Sequence, residues 1–193
     1  MTATAAKRLY TVEEYLRTEA RSGERYQFYN GNIIPMPGGT LPHNRICKNI
    51  IQHLGNALDV IKGFEIFGSD QKIYLPEYHF YLYPDAVVVA ETPVLAEDVA
   101  SAIINPLLII EVLSPSTGNY DREQKFLQYR SLPSFKEYAL VRQDAPEVLT
   151  FFREKPDTWK ENMVKGADQS VHFQSINADL ALQLVYRNVE FSQ

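Results

Sequence analysis

The chain has 193 residues, of which 45% are hydrophobic and 22% are charged, and its formal net charge is −5. This length predicts a single domain over residues 1–193 that can bury its own core. The one cysteine, Cys47, excludes an internal disulfide and a cysteine-rich zinc site, and the acidic charge argues against a broad phosphate-binding surface.

The apolar segments bear on where the protein resides. The longest apolar run, at residues 106–110, is too short to cross a membrane. Residues 1–10 carry basic side chains but lack the apolar stretch of a signal peptide. We therefore expect a cytoplasmic protein with no membrane partner.

The first third of the chain is predicted to form a helix, a hairpin and a long helix. A capping box, Thr-Val-Glu-Glu, predicts a helix over residues 11–20. An Asn-Gly pair favours a tight turn between strands at residues 25–29 and 32–35. The helical spacing of isoleucine and leucine predicts a long helix, with Pro42 in its first turn and Lys62 at its end.

The remainder is predicted to be mostly sheet. A turn rich in serine, proline and glycine at residues 114–119 precedes a predicted helix at residues 120–130. Strands are predicted at residues 64–67, 71–75, 83–90, 107–113, 137–142, 147–153, 159–164, 170–173 and 180–185. This order predicts an α/β fold with a mixed central sheet flanked by helices.

Two of the most apolar predicted strands each contain one acid, Asp85 and Glu111. A carboxylate in a buried strand is costly unless it is paired or binds a metal. If the two strands are neighbours, both acids can bind one cation, and their oxygen atoms suit Mg²⁺ or Mn²⁺. The alternative is that each acid lies at a strand end, solvated or paired with arginine or lysine.

Three polar residues of the following helix recur at four-residue steps, so Asp121, Lys125 and Tyr129 share one face. One interpretation is an ordinary ion pair between Asp121 and Lys125, which contributes about 0.3–0.5 kcal/mol. The other places Lys125 near Glu111, where it orients a water molecule or stabilises charge on a phosphate. His43, at the start of the long helix, is either structural or a neutral imidazole that contacts the substrate or a metal ligand.

Short motifs link these residues to a known family. Pro84-Asp85, followed by Glu111-Val112-Leu113, resembles the PD-(D/E)xK nuclease signature. From Tyr10 to Val185 the chain resembles the Uma-two family of predicted restriction endonucleases. The motifs that carry this resemblance are Tyr-Thr-Val-Glu-Glu-Tyr-Leu at 10–16, Asn30-Gly31, Pro42-His43-Asn44, Glu-Val-Leu-Ser-Pro-Ser-Thr at 111–117, Asp121, Lys125, Tyr129 and Glu137-Tyr138.

The resemblance implies a restriction-endonuclease-like fold, a Mg²⁺ site and hydrolysis of phosphodiester bonds in DNA. It implies that Asp85 and Glu111 are metal ligands, joined by the backbone carbonyl of Val112. The superfamily expects a lysine where this chain has Leu113, and Lys125 is the family's matching position. Because such nucleases often pair to cut both strands, we also expect a homodimer.

One departure from the family lies in the first hairpin, where members commonly carry acids and this chain has Gln27. We therefore keep three interpretations open: an active endonuclease, a weak or inactive nuclease-fold protein that binds DNA or another protein, and a metal-dependent hydrolase of small phosphoesters. Glu24, Gln27 and Asp70 are candidates for the edge of the site.

Overall fold

The computed structural model describes residues 8–36, 38–97, 99, 101–114 and 121–191. Residues 115–120 lie outside the described residues. They carry most of the turn predicted at residues 114–119 and the first residue of the helix predicted at residues 120–130.

The predicted helix, hairpin and long helix at the beginning of the chain are confirmed. Helix α1 (Val12–Ser22) begins with the capping box, in which Thr11 and Glu14 each accept the other's backbone N–H. Strands β1 (Tyr26–Tyr29) and β2 (Asn32–Pro35) pair through a turn whose two residues both have positive φ, as a tight hairpin turn of this type requires. Helix α2 (Leu41–Ile61) has the Thr40 side chain as its N-terminal cap.

Within the described ranges, the strands form a six-stranded mixed sheet, a five-stranded sheet and a two-stranded hairpin. The strands after β2 are β3 (Phe64–Gly68), β4 (Lys72–Leu75), β5 (Phe80–Leu82), β6 (Ala86–Ala90), β7 (Ala102–Ile103), β8 (Leu108–Leu113), β9 (Glu137–Arg142), β10 (Glu147–Lys155), β11 (Thr158–Lys165), β12 (Ser170–Phe173) and β13 (Ala178–Ala181). The six-stranded sheet has the order β11-β10-β9-β8-β6-β3, with β8 and β9 parallel and the other pairs antiparallel. The other strands are ordered β2-β1-β5-β4-β7 and β12-β13.

The core lies on both faces of the six-stranded sheet. On one face α2 and the β12-β13 hairpin cover the sheet, with Leu54 and Phe173 fully buried against Ile110. On the other face β4 and β5 pack with aromatic residues such as Tyr129. Burial on both faces explains why β6 and β8 are apolar nearly throughout. Among the described residues, no helix combines the length and the hydropathy needed to cross a bilayer.

The structure corrects several predicted elements. The helix predicted at residues 120–130 is a π-helical turn (Asp121–Lys125) that continues into the short helix α3 (Phe126–Tyr129). The strand predicted at residues 180–185 is wrong beyond Ala181, because Leu182–Val185 forms a short helix, α4. Leu182 and Val185 are buried there, and Asn49 of α2 donates a hydrogen bond to the Val185 carbonyl at 2.9 Å.

Candidate active site

The two acids singled out in the sequence lie at the same end of neighbouring strands. In the antiparallel β6-β8 pair, Ala86 lies opposite Ile110, so the next step along the ladder brings Asp85 level with Glu111. The predicted adjacency of the two strands is therefore confirmed. The role of Asp85 and Glu111 as metal ligands stays a prediction.

Glu111 is almost fully buried and is held by the helical segment that follows it in the chain. Lys125 Nζ lies 3.0 Å from Glu111 Oε1 and 2.8 Å from Asp121 Oδ1. The Tyr129 hydroxyl donates to the same Glu111 oxygen at 3.3 Å. Tyr138, in β9, donates its hydroxyl to the Asp121 carbonyl at 2.8 Å and fixes the π-helical turn against the sheet. Lys125 thus makes both predicted contacts at once.

The electrostatics of this cluster are dominated by burial. Burial raises the pKa of Glu111 to about 8, and the charges of Asp121 and Asp85 act in the same direction against the opposing effect of Lys125. Burial alone would lower the pKa of Lys125, but Glu111 and Asp121 raise it above its ordinary value. Lys125 therefore keeps its proton. In the described cluster, Glu111 and Asp121 both contact Lys125, and Asp85 is near enough for its charge to raise the pKa of Glu111.

Asp85 faces a second set of residues on α2. Its Oδ2 accepts the Val112 backbone N–H at 2.7 Å and lies 3.3 Å from His43 Nε2. One helical turn further along, Cys47 Sγ lies 3.5 Å from His43 Nδ1. Four-residue spacing puts both side chains on the face of α2 that looks toward Asp85.

Two opposing effects act on the ionisation of His43. Its position near a helix N-terminus disfavours the charged imidazole. Burial acts to lower the pKa of His43, but the hydrogen bond and the charge of Asp85 outweigh it, so the pKa is raised. The neutral form expected from the sequence stays a prediction.

An open cleft of about 640 Å³ leads to Asp85. One wall is α2 and the other is the end of β3 with the turn that follows it. Asp85 lines this cleft, whereas Glu111 lies behind it in the buried cluster. The lining residues are Asn44, Cys47, Lys48, Ile51, Gln52, Phe67, Gly68, Ser69, Asp70, Gln71 and Asp85.

The remaining candidates make no hydrogen bond or ion pair with Asp85 or Glu111 among the described residues. Asp70 lines the cleft but is 92% exposed and pairs with Arg25 at 2.7 Å. Glu24 is exposed and accepts the hydroxyl of its neighbour Tyr26. Gln27 is half-buried in β1 and makes no hydrogen bond or ion pair with the described residues of the site.

Cys47 is the functional candidate that the sequence did not reveal. A lone cysteine excludes a cysteine-rich zinc site, but it can still share a site with histidine and carboxylate ligands. The signal that was present is the spacing of four between His43 and Cys47 on one helix. What the sequence does not contain is the fact that this face of α2 points at Asp85.

The chain is similar to several known proteins. A family model, Uma2, described as "Putative restriction endonuclease", matches residues 12–184. Two relatives from Synechocystis sp., described as uncharacterized proteins sll1609 and slr1290, are 34% identical over 173 residues and 32% identical over 181 residues. These alignments cover 90% of this chain and 97% of sll1609, and 93% of this chain and 92% of slr1290.

A solved structure shares the architecture. A crystal structure from Anabaena variabilis, described as "a putative nuclease belonging to DUF820", matches with a TM-score of 0.69 and 15% sequence identity. The match covers 86% of this chain and 91% of that chain. The predicted mixed α/β fold is confirmed by this likeness.

Proposed function

Because the chain belongs to the Uma2 family of restriction-endonuclease-type proteins, we propose that it is a DNA endonuclease that depends on a divalent metal bound by Asp85 and Glu111. The observation that carries this proposal is the meeting of the two acids at the end of β6 and β8, with Lys125 at 3.0 Å from Glu111. Two acids and one lysine are the groups that the resemblance to the PD-(D/E)xK signature implies, with Lys125 in the role of the lysine expected at Leu113.

The residues present fit a hard divalent cation in donor type. Carboxylate oxygens are the ligands that Mg²⁺ and Mn²⁺ prefer, and we propose the Val112 carbonyl as a third donor. A cation bound by Asp85 and Glu111 would take the place of the proton that burial keeps on Glu111 below about pH 8. A buried glutamate whose pKa is raised to about 8 gains a partner when a cation binds.

When bound, the ion supplies positive charge that polarises the scissile phosphodiester and lowers the pKa of a water molecule. Lys125 acts as a positioning residue, because its protonated side chain is buried and orients the Glu111 carboxylate. Tyr129 fixes the same oxygen from the next turn of the chain. A direct contact from Lys125 to the attacking water or to the phosphate stays a prediction.

The cleft side of the site suits a negatively charged substrate. His43 Nε2 lies 3.3 Å from Asp85 Oδ2, and so it can orient that carboxylate, whose charge raises the pKa of the imidazole. Lys48 lies on the same wall of the cleft. Local positive charge of this kind offsets the net charge of −5 of the whole chain. Pairing of two copies to cut both strands is a further part of the proposal.

The test is a plasmid-nicking assay with Mg²⁺, with Mn²⁺ and with a chelator. We expect the wild type to nick DNA only with metal present and Asp85→Asn to lose at least about a hundredfold in rate, since each such interaction contributes several kcal/mol to the transition state. Asp59→Asn is the matched control, because Asp59 is an exposed acid near the far end of α2. Equal nicking by Asp85→Asn and wild type would contradict the proposal.

Two other outcomes distinguish the remaining interpretations. Metal binding without nicking by the wild type would favour an inactive nuclease-fold protein that binds DNA or another protein, with the amide at Gln27 as the first residue to restore to an acid. Hydrolysis of small phosphodiesters with no preference for longer DNA would favour a small-molecule hydrolase.

A further inference from the structure

We propose that His43, Cys47 and Asp85 form a binding site for a thiophilic divalent cation of the zinc type, in the wall of the cleft. These three side chains offer one nitrogen, one sulfur and one oxygen ligand, and the three ligand atoms all lie within 4.8 Å of one another. This site is distinct from the oxygen-only site proposed above, although the two share Asp85.

The three ligand atoms lie close together but are slightly further apart than in a tetrahedral zinc shell. Zinc bonds of about 2.0–2.3 Å place neighbouring ligands of a tetrahedron about 3.3–3.8 Å apart. His43 Nε2 lies 3.3 Å from Asp85 Oδ2, and Cys47 Sγ lies 3.5 Å from the other ring nitrogen, His43 Nδ1. One ring nitrogen, the sulfur and the carboxylate oxygen all lie within 4.8 Å of one another, so the side chains must close in by up to about 1.5 Å to bind one ion.

The donor set selects against Mg²⁺. Thiolate and imidazole are soft or borderline ligands that favour zinc and its neighbours, whereas Mg²⁺ takes oxygen ligands in an octahedral shell. Three protein ligands leave one tetrahedral position for water, and two of them, Cys47 and Asp85, line an open cleft from which water can enter. Coordination displaces the thiol proton, so a protonated Cys47 in the metal-free protein does not prevent binding.

Sharing Asp85 couples the two sites. A zinc-type ion that takes this carboxylate removes a ligand from the magnesium site, so zinc should inhibit the cleavage reaction by competition. This consequence rests on the proposed nuclease function, whereas binding of zinc itself does not. Zinc binding is therefore measured separately from DNA cleavage.

The first test is a calorimetric titration of Zn²⁺ into the full, untagged chain. We expect Cys47→Ala and His43→Ala each to weaken Zn²⁺ binding at least about tenfold, because each loses one of three protein ligands. Cys47→Ala should leave Mn²⁺ affinity unchanged. Gln52→Ala, in the same helix and cleft, is the control. Zn²⁺ affinity in Cys47→Ala within about twofold of the wild type would overturn the proposal.

A second test needs no variant. Since Cys47 is the one cysteine of the chain, alkylation of the wild type followed by mass spectrometry reports on a single thiol. We expect Zn²⁺ to slow this alkylation at least about tenfold and Mg²⁺ to leave it unchanged. An unchanged rate with Zn²⁺ would overturn the proposal. Zinc protection in a protein that shows no Mn²⁺ binding and no nicking would leave this site standing and remove the nuclease proposal alone.

Discussion

The substitution Glu111→Gln should stabilise the metal-free protein at high pH. Glu111 is 2% exposed, and burial raises its pKa from 4.5 to about 8. Each pH unit between those values corresponds to about 1.4 kcal/mol, so the ionised carboxylate costs the folded state on the order of 5 kcal/mol. Glutamine has nearly the same shape and carries no charge, so it removes this cost.

The sign of the effect follows from proton binding. Below pH 4.5 both the folded and the unfolded wild type keep the Glu111 proton, and burial costs nothing extra. Between pH 4.5 and about 8 the unfolded chain releases this proton while the folded protein retains it, so the free energy of unfolding falls as the pH rises. The variant lacks this decline, and its advantage over the wild type should grow across the same window.

Urea denaturation in the presence of a chelator measures this difference. We expect the difference in free energy of unfolding between Glu111→Gln and the wild type to increase by several kcal/mol, in favour of the variant, from about pH 5 to about pH 8. Glu65→Gln is the matched control, since it makes the same change at a glutamate that is exposed in β3. Parallel profiles for wild type and Glu111→Gln would refute the argument.

Three further substitutions test other parts of the structure. Lys125→Ala should lower the rate of plasmid nicking more than it lowers Mn²⁺ affinity, because the Lys125 ammonium positions Glu111 but does not itself bind the metal. An equal loss of rate and affinity would argue against that role. Glu19→Ala should lower the free energy of unfolding, measured by urea denaturation, by about 3–5 kcal/mol, because it leaves the buried ammonium of Lys72 without its carboxylate partner. A loss below about 1 kcal/mol would show that this pair is not desolvated. Gly39→Ala should weaken Zn²⁺ binding several-fold, because the added Cβ would lie 2.7 Å from His43 Nδ1 and displace the imidazole. An unchanged calorimetric affinity would mean that the backbone around residue 39 shifts and the imidazole stays in place.

The local signals in the sequence were sufficient for the first third of the fold. A capping box, an Asn-Gly turn and a proline in the first helical turn each act within a few residues, and each is found where predicted. Strands β5 and β7 were not predicted, because two or three residues are too few to show a periodic pattern. Leu182–Val185 continues the apolar pattern of β13, and only its packing against α2 makes it helical.

The candidate site shows the same division between local and distant information. One acid in each of two apolar strands suggested neighbouring strands, because burial makes an isolated carboxylate costly, but the pairing itself is known only from the structure. For Lys125, the ion pair with Asp121 and the contact with Glu111 were alternatives in the sequence, whereas one ammonium reaches both carboxylates in the structure. Cys47 was missed since its partner, Asp85, lies 38 positions further along the chain.

The most direct test of the central claim is a calorimetric titration of Mn²⁺ into the wild type, Asp85→Asn and Glu111→Gln. The account predicts that the wild type binds one ion per chain and that each variant loses at least about tenfold in affinity while staying folded. Unchanged Mn²⁺ affinity in both variants would contradict the assignment of Asp85 and Glu111 as the metal ligands.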